Sequence, residues 1–138
     1  MRTESELNRV SRQIIGGAIA IHRAFGPGCF ESAYARCLAY ELAKRQLTFE
    51  DNVKLTLRYE TIVVTGAYVA DFIVEGGIVV ELKAIEAVAP IHIRQLQTYL
   101  RLTGCPLGLI LNFGALTLTD GIARQVNNFP IGTTPYAK

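Results

Sequence analysis

The stretch GGIVVELKAIEA, residues 76–87, ends an apolar run of Ile78, Val79 and Val80 with two opposite charges, Glu81 and Lys83. Residues two apart in a strand point to the same face, and an unpaired charge buried there costs several kcal/mol. Asp71 interrupts the preceding apolar stretch AYVADFIV in the same way. A two-residue Gly76-Gly77 turn would pair Phe72 with Glu81 and send Asp71 to the opposite face. A three-residue loop, Glu75–Gly77, or a bulge near Asp71, would set Asp71 against Glu81 instead. Two carboxylates so placed repel unless a cation lies between them, and a hard divalent ion such as Mg2+ suits oxygen ligands. That ion would stabilise charge on a phosphodiester and activate water, while Lys83 holds the water or neutralises developing negative charge. The bland reading is a core ion pair of Glu81 and Lys83, which Glu-x-Lys standing alone would favour, because so short a pattern is common.

Further polar groups bear on the choice. His92, Gln95 and Tyr99 are spaced three and four apart and form a polar stripe on a helix. Gln95 is suited to orient a water or a phosphate, although a solvated Gln95 and a packed Tyr99 are the ordinary expectation for each taken singly. Glu31 falls in the first turn of another helix, where the helix dipole favours a carboxylate with or without metal. Lys44, Arg45, Arg94 and Arg101 are candidates for phosphate contacts, but such residues on helices are usually just solvated.

The elements that must position these groups follow from periodicity. Thr3 and Glu6 form a capping-box pattern, followed by Leu7, Val10, Ile14, Ala18, Ile21 and Phe25 at helical spacing. This predicts a helix of about five to six turns, ended by Gly26-Pro27-Gly28. A second helix is predicted from about Cys29 to Gln46, with Phe30, Ala33, Cys37 and Tyr40 on one face. Strands are predicted at VKLTLRY, AYVADFIV and IVVELKA, with turns at Glu60-Thr61 and Glu75–Gly77, as an antiparallel set. A third helix starts at Pro90, buries Ile93, Leu96 and Leu100 and is capped by Gly104. PLGLILNFG then reads as a buried strand lying parallel to a neighbour. LTLTDGIARQVNN supports at most a short strand or helix, and FPIGTTPYAK an irregular tail.

At 138 residues, with half of them apolar and 19% charged, the chain is expected to form one globular domain, residues 1–138. A net charge of +2 tolerates a polyanionic partner without demanding one. Three cysteines without CxxC spacing, Cys29, Cys37 and Cys105, argue against a disulfide framework and against a zinc or four-cysteine iron–sulfur site. A polar N-terminus and the lack of a long apolar run predict a soluble cytoplasmic protein with no membrane partner.

With GPGCFESAY, which contains Gly28-x-x-Glu31-x-x-Tyr34, and with YVADFIV, VVELKAIEAVAPIHIRQLQTYLRLTG and LGLILNFG, the chain closely resembles the GxxExxY protein family, within the PD-(D/E)XK nuclease superfamily. The resemblance covers roughly residues 10 to 127. It implies a restriction-endonuclease-like αβββαβ core with a mixed central sheet, to which the first helix is an addition. It further implies Asp71 and Glu81 as metal ligands, the Leu82 carbonyl as another, and Lys83 as the residue that positions or activates water. Glu31 resembles the additional acidic residue supplied by the core's first helix. Gln95-x-x-x-Tyr99 is similar to a motif of RecB-type nucleases, while Tyr34 and His92 match the pattern as supporting residues. Ala70 stands where the superfamily's name has proline, which leaves the aspartate's role untouched. The implied activity is Mg2+- or Mn2+-dependent hydrolysis of nucleic acid, DNA by default, without an iron–sulfur cluster and compatible with a homodimer or protein partner. The alternatives are a catalytically silent nuclease-fold module that binds nucleic acid or protein, and a purely structural charge network that pairs Lys83 with both carboxylates.

Overall fold

The computed structural model describes residues 2–127, so the irregular tail expected at residues 129–138 lies outside the described residues. The element order is α1 (Glu4–Phe25), α2 (Glu31–Lys44), β1 (Phe49–Tyr59), β2 (Ile62–Val74), β3 (Ile78–Lys83), α3 (Pro90–Thr103), β4 (Leu107–Asn112), a 3-10 turn (Leu118–Gly121) and β5 (Ile122–Val126). The five strands form one mixed sheet in the order β1-β2-β3-β4-β5. β3 and β4 are parallel, and the other neighbours are antiparallel. This is the α/β architecture expected, with α3 as the crossover that a parallel pair requires.

Local chemistry accounts for the helix ends. Thr3 Oγ1 accepts from Glu6 N–H while the Glu6 carboxylate accepts from Thr3 N–H, closing the capping box of α1. Pro90 opens α3 where its missing N–H is harmless, and Gly104 ends it in the left-handed conformation at φ 74°. Two cores sandwich the sheet. Leu7, Val10, Ile14, Ala18 and Ile21 of α1 and Tyr34, Leu38 and Leu42 of α2 pack on Phe72, Val74, Ile78, Val80, Leu82 and Leu109. On the other face Leu96, Tyr99 and Leu100 of α3 cover Leu55, Ala70, Val79 and Ile110.

One expected face is corrected. The residues α2 turns inward are Tyr34, Leu38, Glu41 and Leu42, while Phe30 is 84% and Tyr40 67% exposed. α2 carries two apolar stripes, and the one with Tyr and two leucines fills the space above the sheet and beside α1. Its helix is also shorter at both ends than expected. β1 and β2 are longer than expected, because Phe49 packs edge-on against Phe72 and because residues 62–66 extend the hairpin past a register shift that hides the alternation.

Candidate active site

The β2–β3 ladder consists of three rungs, Val74 with Ile78, Ile73 with Val79 and Phe72 with Val80. That register belongs to the three-residue loop Glu75–Gly77, in which Glu75 (φ 52°) and Gly76 (φ 64°) both turn left-handed. A glutamate tolerates this because its carboxylate accepts from Thr48 N–H and Oγ1, at 2.6 and 2.7 Å, and from Arg2 at 2.7 Å. Those bonds hold its pKa below the usual carboxylate range, Thr48 contributing most.

The next position along, Asp71 opposite Glu81, is where the two strands part. Asp71 Oδ2 accepts from the Leu82 N–H at 2.8 Å, and Asp71 N–H donates to Glu81 Oε2 at 3.3 Å. The carboxylates have thus taken over the backbone bonds that the ladder gives up. Within a strand, the N–H and C=O of one residue point to the same side, so the Leu82 carbonyl lies along the same opening. Glu81 is only 7% exposed, and its Oε1 is buried without a hydrogen-bond partner. Burial first, and the hydrogen bond and charge of Asp71 next, push its pKa up to about 9. Val79 lies in the core under α3, so alternation along β3 directs Glu81 and Lys83 to that side as well. The Lys83 charge opposes the rise at Glu81. Ion pairs among the described residues include Arg2 with Glu75 and Glu41 with Lys44 and Arg45, and none of these involves Lys83. Lys83 therefore neutralises neither carboxylate directly, and the core ion pair of the bland reading is not formed.

α3 supplies the wall above this pair. Tyr99 is buried and packs edge-on to Tyr68 of β2, with ring centroids 5.8 Å apart. Its pKa is pushed up to about 12, by burial first and then by the charges of Glu81 and Asp71, with a hydrogen bond to the Gln95 side chain acting the other way. Gln95 and Tyr99 thus meet one turn apart beside the acidic pair. His92 stands apart in role. Its Nδ1 accepts from Ala89 N–H at 2.8 Å, which satisfies one of the free donors at the start of α3.

Glu31 is exposed in the first turn of α2 and is not drawn to the pair. Among the described residues no three His, Cys, Asp or Glu side chains gather closely enough to hold an ion together. Tyr34, three residues on, anchors that end of α2. Its hydroxyl donates to Gly26 O at 2.5 Å and accepts from Cys29 N–H at 3.1 Å, clamping the Gly26-Pro27-Gly28 loop. Its ring stacks on Phe113 at 4.3 Å, and Phe113 N–H donates to Lys83 O at 2.8 Å. Burial raises the Tyr34 pKa. Asn112, which sequence reasoning missed, is buried and accepts on Oδ1 from Ile85 N–H and Gly114 N–H, both at 3.0 Å. It ties the segment leaving Lys83 to the end of β4. The signal available was a lone amide ending the apolar run LGLILN.

Residues 8–125 match the model of a family described as the PD-(D/E)XK nuclease superfamily. The chain belongs to that superfamily. No curated protein and no solved structure matches the chain. The superfamily match spans every element from α1 to β5 that builds the two cores, and it carries a nuclease fold with it. Among the described residues no helix is long and apolar enough to cross a membrane. The superfamily's use of divalent metal agrees with the donor chemistry here. Two adjacent carboxylates, one with a buried oxygen lacking any hydrogen-bond partner, are oxygen donors of the kind hard cations prefer.

Proposed function

We propose that this protein is a divalent-metal-dependent nuclease of the GxxExxY type that hydrolyses phosphodiester bonds in nucleic acid, with DNA as the substrate favoured by its superfamily. The observation that carries the reading is the pairing of Asp71 with a Glu81 whose Oε1 is buried and unpartnered, while Lys83 beside it pairs with no acid. A structural charge network would use Lys83 to neutralise the carboxylates. A catalytic one keeps it available.

Asp71, Glu81 and the Leu82 carbonyl would hold Mg2+ or Mn2+. When bound, such an ion supplies charge stabilisation for a phosphodiester and lowers the pKa of water. Asp71 also fixes the Leu82 peptide through its 2.8 Å bond, so the carbonyl is held in place before anything binds. Lys83 sits two residues from Glu81 on the same face and there orients the attacking water and offsets negative charge growing on the phosphate. Gln95, exposed on α3, holds a water or a non-bridging oxygen, with Tyr99 fixing its side chain. Glu31, at the same end of α2 as the clamped glycine loop, serves as an outer acidic group; Tyr34 supports that loop, and His92 supports the backbone at the start of α3.

The test is cleavage of mixed DNA and RNA substrates with Mg2+ or Mn2+, comparing the wild type with identically purified Lys83→Ala. Activity lost in the variant, with its circular dichroism unchanged, supports the reading. Undiminished activity in Lys83→Ala would sink it.

A further inference from the structure

β1 and β2 change faces at the same level. Phe49 of β1 packs with Phe72 and Val74 of β2 in the core under α1 and α2, whereas Val53 and Leu55 of β1 pack with Tyr68 and Ala70 of β2 in the core under α3. Phe72 and Ala70 are two residues apart and would share a face in a regular strand. The reversal falls between the rungs Asp51–Phe72 and Val53–Ala70, where Asn52 stands across from Asp71 and the ladder skips a rung.

Asn52 has φ 49°, the one positive value within β1. Asparagine is among the few residues besides glycine that enter this left-handed region, and its side chain here is exposed. Asp71 depends on the reversal. Ile73 lies on the α3 side, so alternation puts Asp71 there as well, facing Glu81. Ala70, the next residue, is also in the core under α3 and is fully buried. Two successive residues on one face require a kink. Without it, alternation from Tyr68 and Ala70 would carry Asp71 to the opposite face, away from Glu81. The outer hairpin is the anchored half, through the burial of Leu55 and Ala70 and the edge-on contact of Tyr68 with Tyr99, so Asp71 is the residue that would move.

We propose that Asn52 is a positioning residue for the acidic pair, its left-handed backbone forming the kink that lets Asp71 face Glu81 while the outer hairpin stays against α3. That the pair holds a divalent cation rests on the nuclease reading. Asn52 acts through the backbone: the kink turns Asp71 so that its N–H reaches Glu81 Oε2 at 3.3 Å and its Oδ2 accepts from Leu82 N–H at 2.8 Å. A side chain branched at Cβ opposes the left-handed conformation, and glycine adopts it freely.

The experiment reads hydrogen exchange at the Leu82 amide by NMR in chelator, and Mn2+ affinity by calorimetry, in the full chain. In Asn52→Val the Leu82 amide should exchange at least about tenfold faster than in the wild type, and Mn2+ should bind about tenfold more weakly. Asn52→Gly should match the wild type in both. Asn52→Ala, which crowds the left-handed conformation less, should show both effects in smaller measure and keeps the test open if Asn52→Val does not fold. Glu60→Val sets the same conflict at the hairpin tip, where φ is 52°; it should lower the thermal midpoint and move neither readout. Leu82 exchange that stays at its wild-type value in the Val and Ala variants overturns the inference. So does Mn2+ affinity that stays there while the wild type binds the ion, and so does a Glu60→Val protein that moves both readouts equally, since the effect is then one of general stability. A wild type that neither binds Mn2+ nor cleaves nucleic acid, with Leu82 exchange still governed by residue 52, would instead refute the nuclease reading alone. Metal-dependent cleavage with Leu82 exchange indifferent to residue 52 would refute the inference alone.

Discussion

Glu81→Gln isolates the energetic consequence of burying a carboxylate against another. Glu81 has its pKa raised from 4.5 to about 9 by burial and by Asp71. Its folded form holds a proton that the unfolded chain has lost, so its contribution to stability is fully present below pH 4.5 and declines steadily as pH rises to about 9. At pH 7 the unfolded glutamate is ionised and the folded one is neutral. The accumulated loss over that interval is about 3 kcal/mol at 1.36 kcal/mol per pH unit, and about 6 kcal/mol by pH 9. Glutamine is neutral in both states and escapes it. The stability of Glu81→Gln relative to wild type should therefore rise by about 3 kcal/mol between pH 4.5 and 7, a gain of roughly 10 °C in midpoint for a chain of this size. Thermal unfolding in chelator, followed by circular dichroism at pH 4.5, 7 and 9, reads this difference while cancelling the titrating groups that do not interact with Glu81. A gap between the two proteins that stays constant with pH would refute the claim that Glu81 is kept protonated by its surroundings.

Three other outcomes follow from the same geometry. Gly114→Ala would put a Cβ 2.1 Å from Ile85 O, so the clasp between the segment after Lys83 and the end of β4 must open; chemical denaturation should show a loss of about 3 kcal/mol or more. Tyr34→Phe keeps the stack on Phe113 but frees Gly26 O and Cys29 N–H, and urea unfolding should register a loss of about 1–3 kcal/mol. Asn112→Ala strands the Ile85 and Gly114 N–H groups; hydrogen exchange at those two amides should accelerate, while exchange within α1 remains as in the wild type.

Much of this arrangement was legible in the sequence because it rests on local chemistry. The α1 capping box, Pro90 and Gly104 at the ends of α3, and the parallel β4 after its crossover helix all have signatures within a few residues. The acidic pair was legible as a conditional: Asp71, Glu81 and Lys83 share a face given a three-residue loop or a bulge near Asp71, and the sequence Glu75-Gly76-Gly77 allowed a two-residue turn as well. The deciding interaction is the grip of Thr48 and Arg2 on Glu75, which is long-range and has no local mark. α2 misled for a related reason. Phe30, Ala33, Cys37 and Tyr40 form as regular a stripe as Tyr34, Leu38 and Leu42, and only the packing against α1 and the sheet chooses between them. The outer hairpin escaped detection because its stripe is broken by the register shift between Leu55 and Leu57. Glu31 was read from resemblance, and its exposed place on α2 leaves it outside the acidic pair.

Asp71 stands against a buried Glu81, and the proposed role of the pair is to hold a cation. Calorimetric titration of the wild type with Mn2+ at pH 7, in two buffers of different ionisation enthalpy, tests this directly. It should show binding with release of about one proton, because Glu81 must give up the one it holds to become a ligand, and Asp71→Asn should weaken binding at least about tenfold. Absence of binding, or binding that releases no proton and survives Asp71→Asn, would contradict the account.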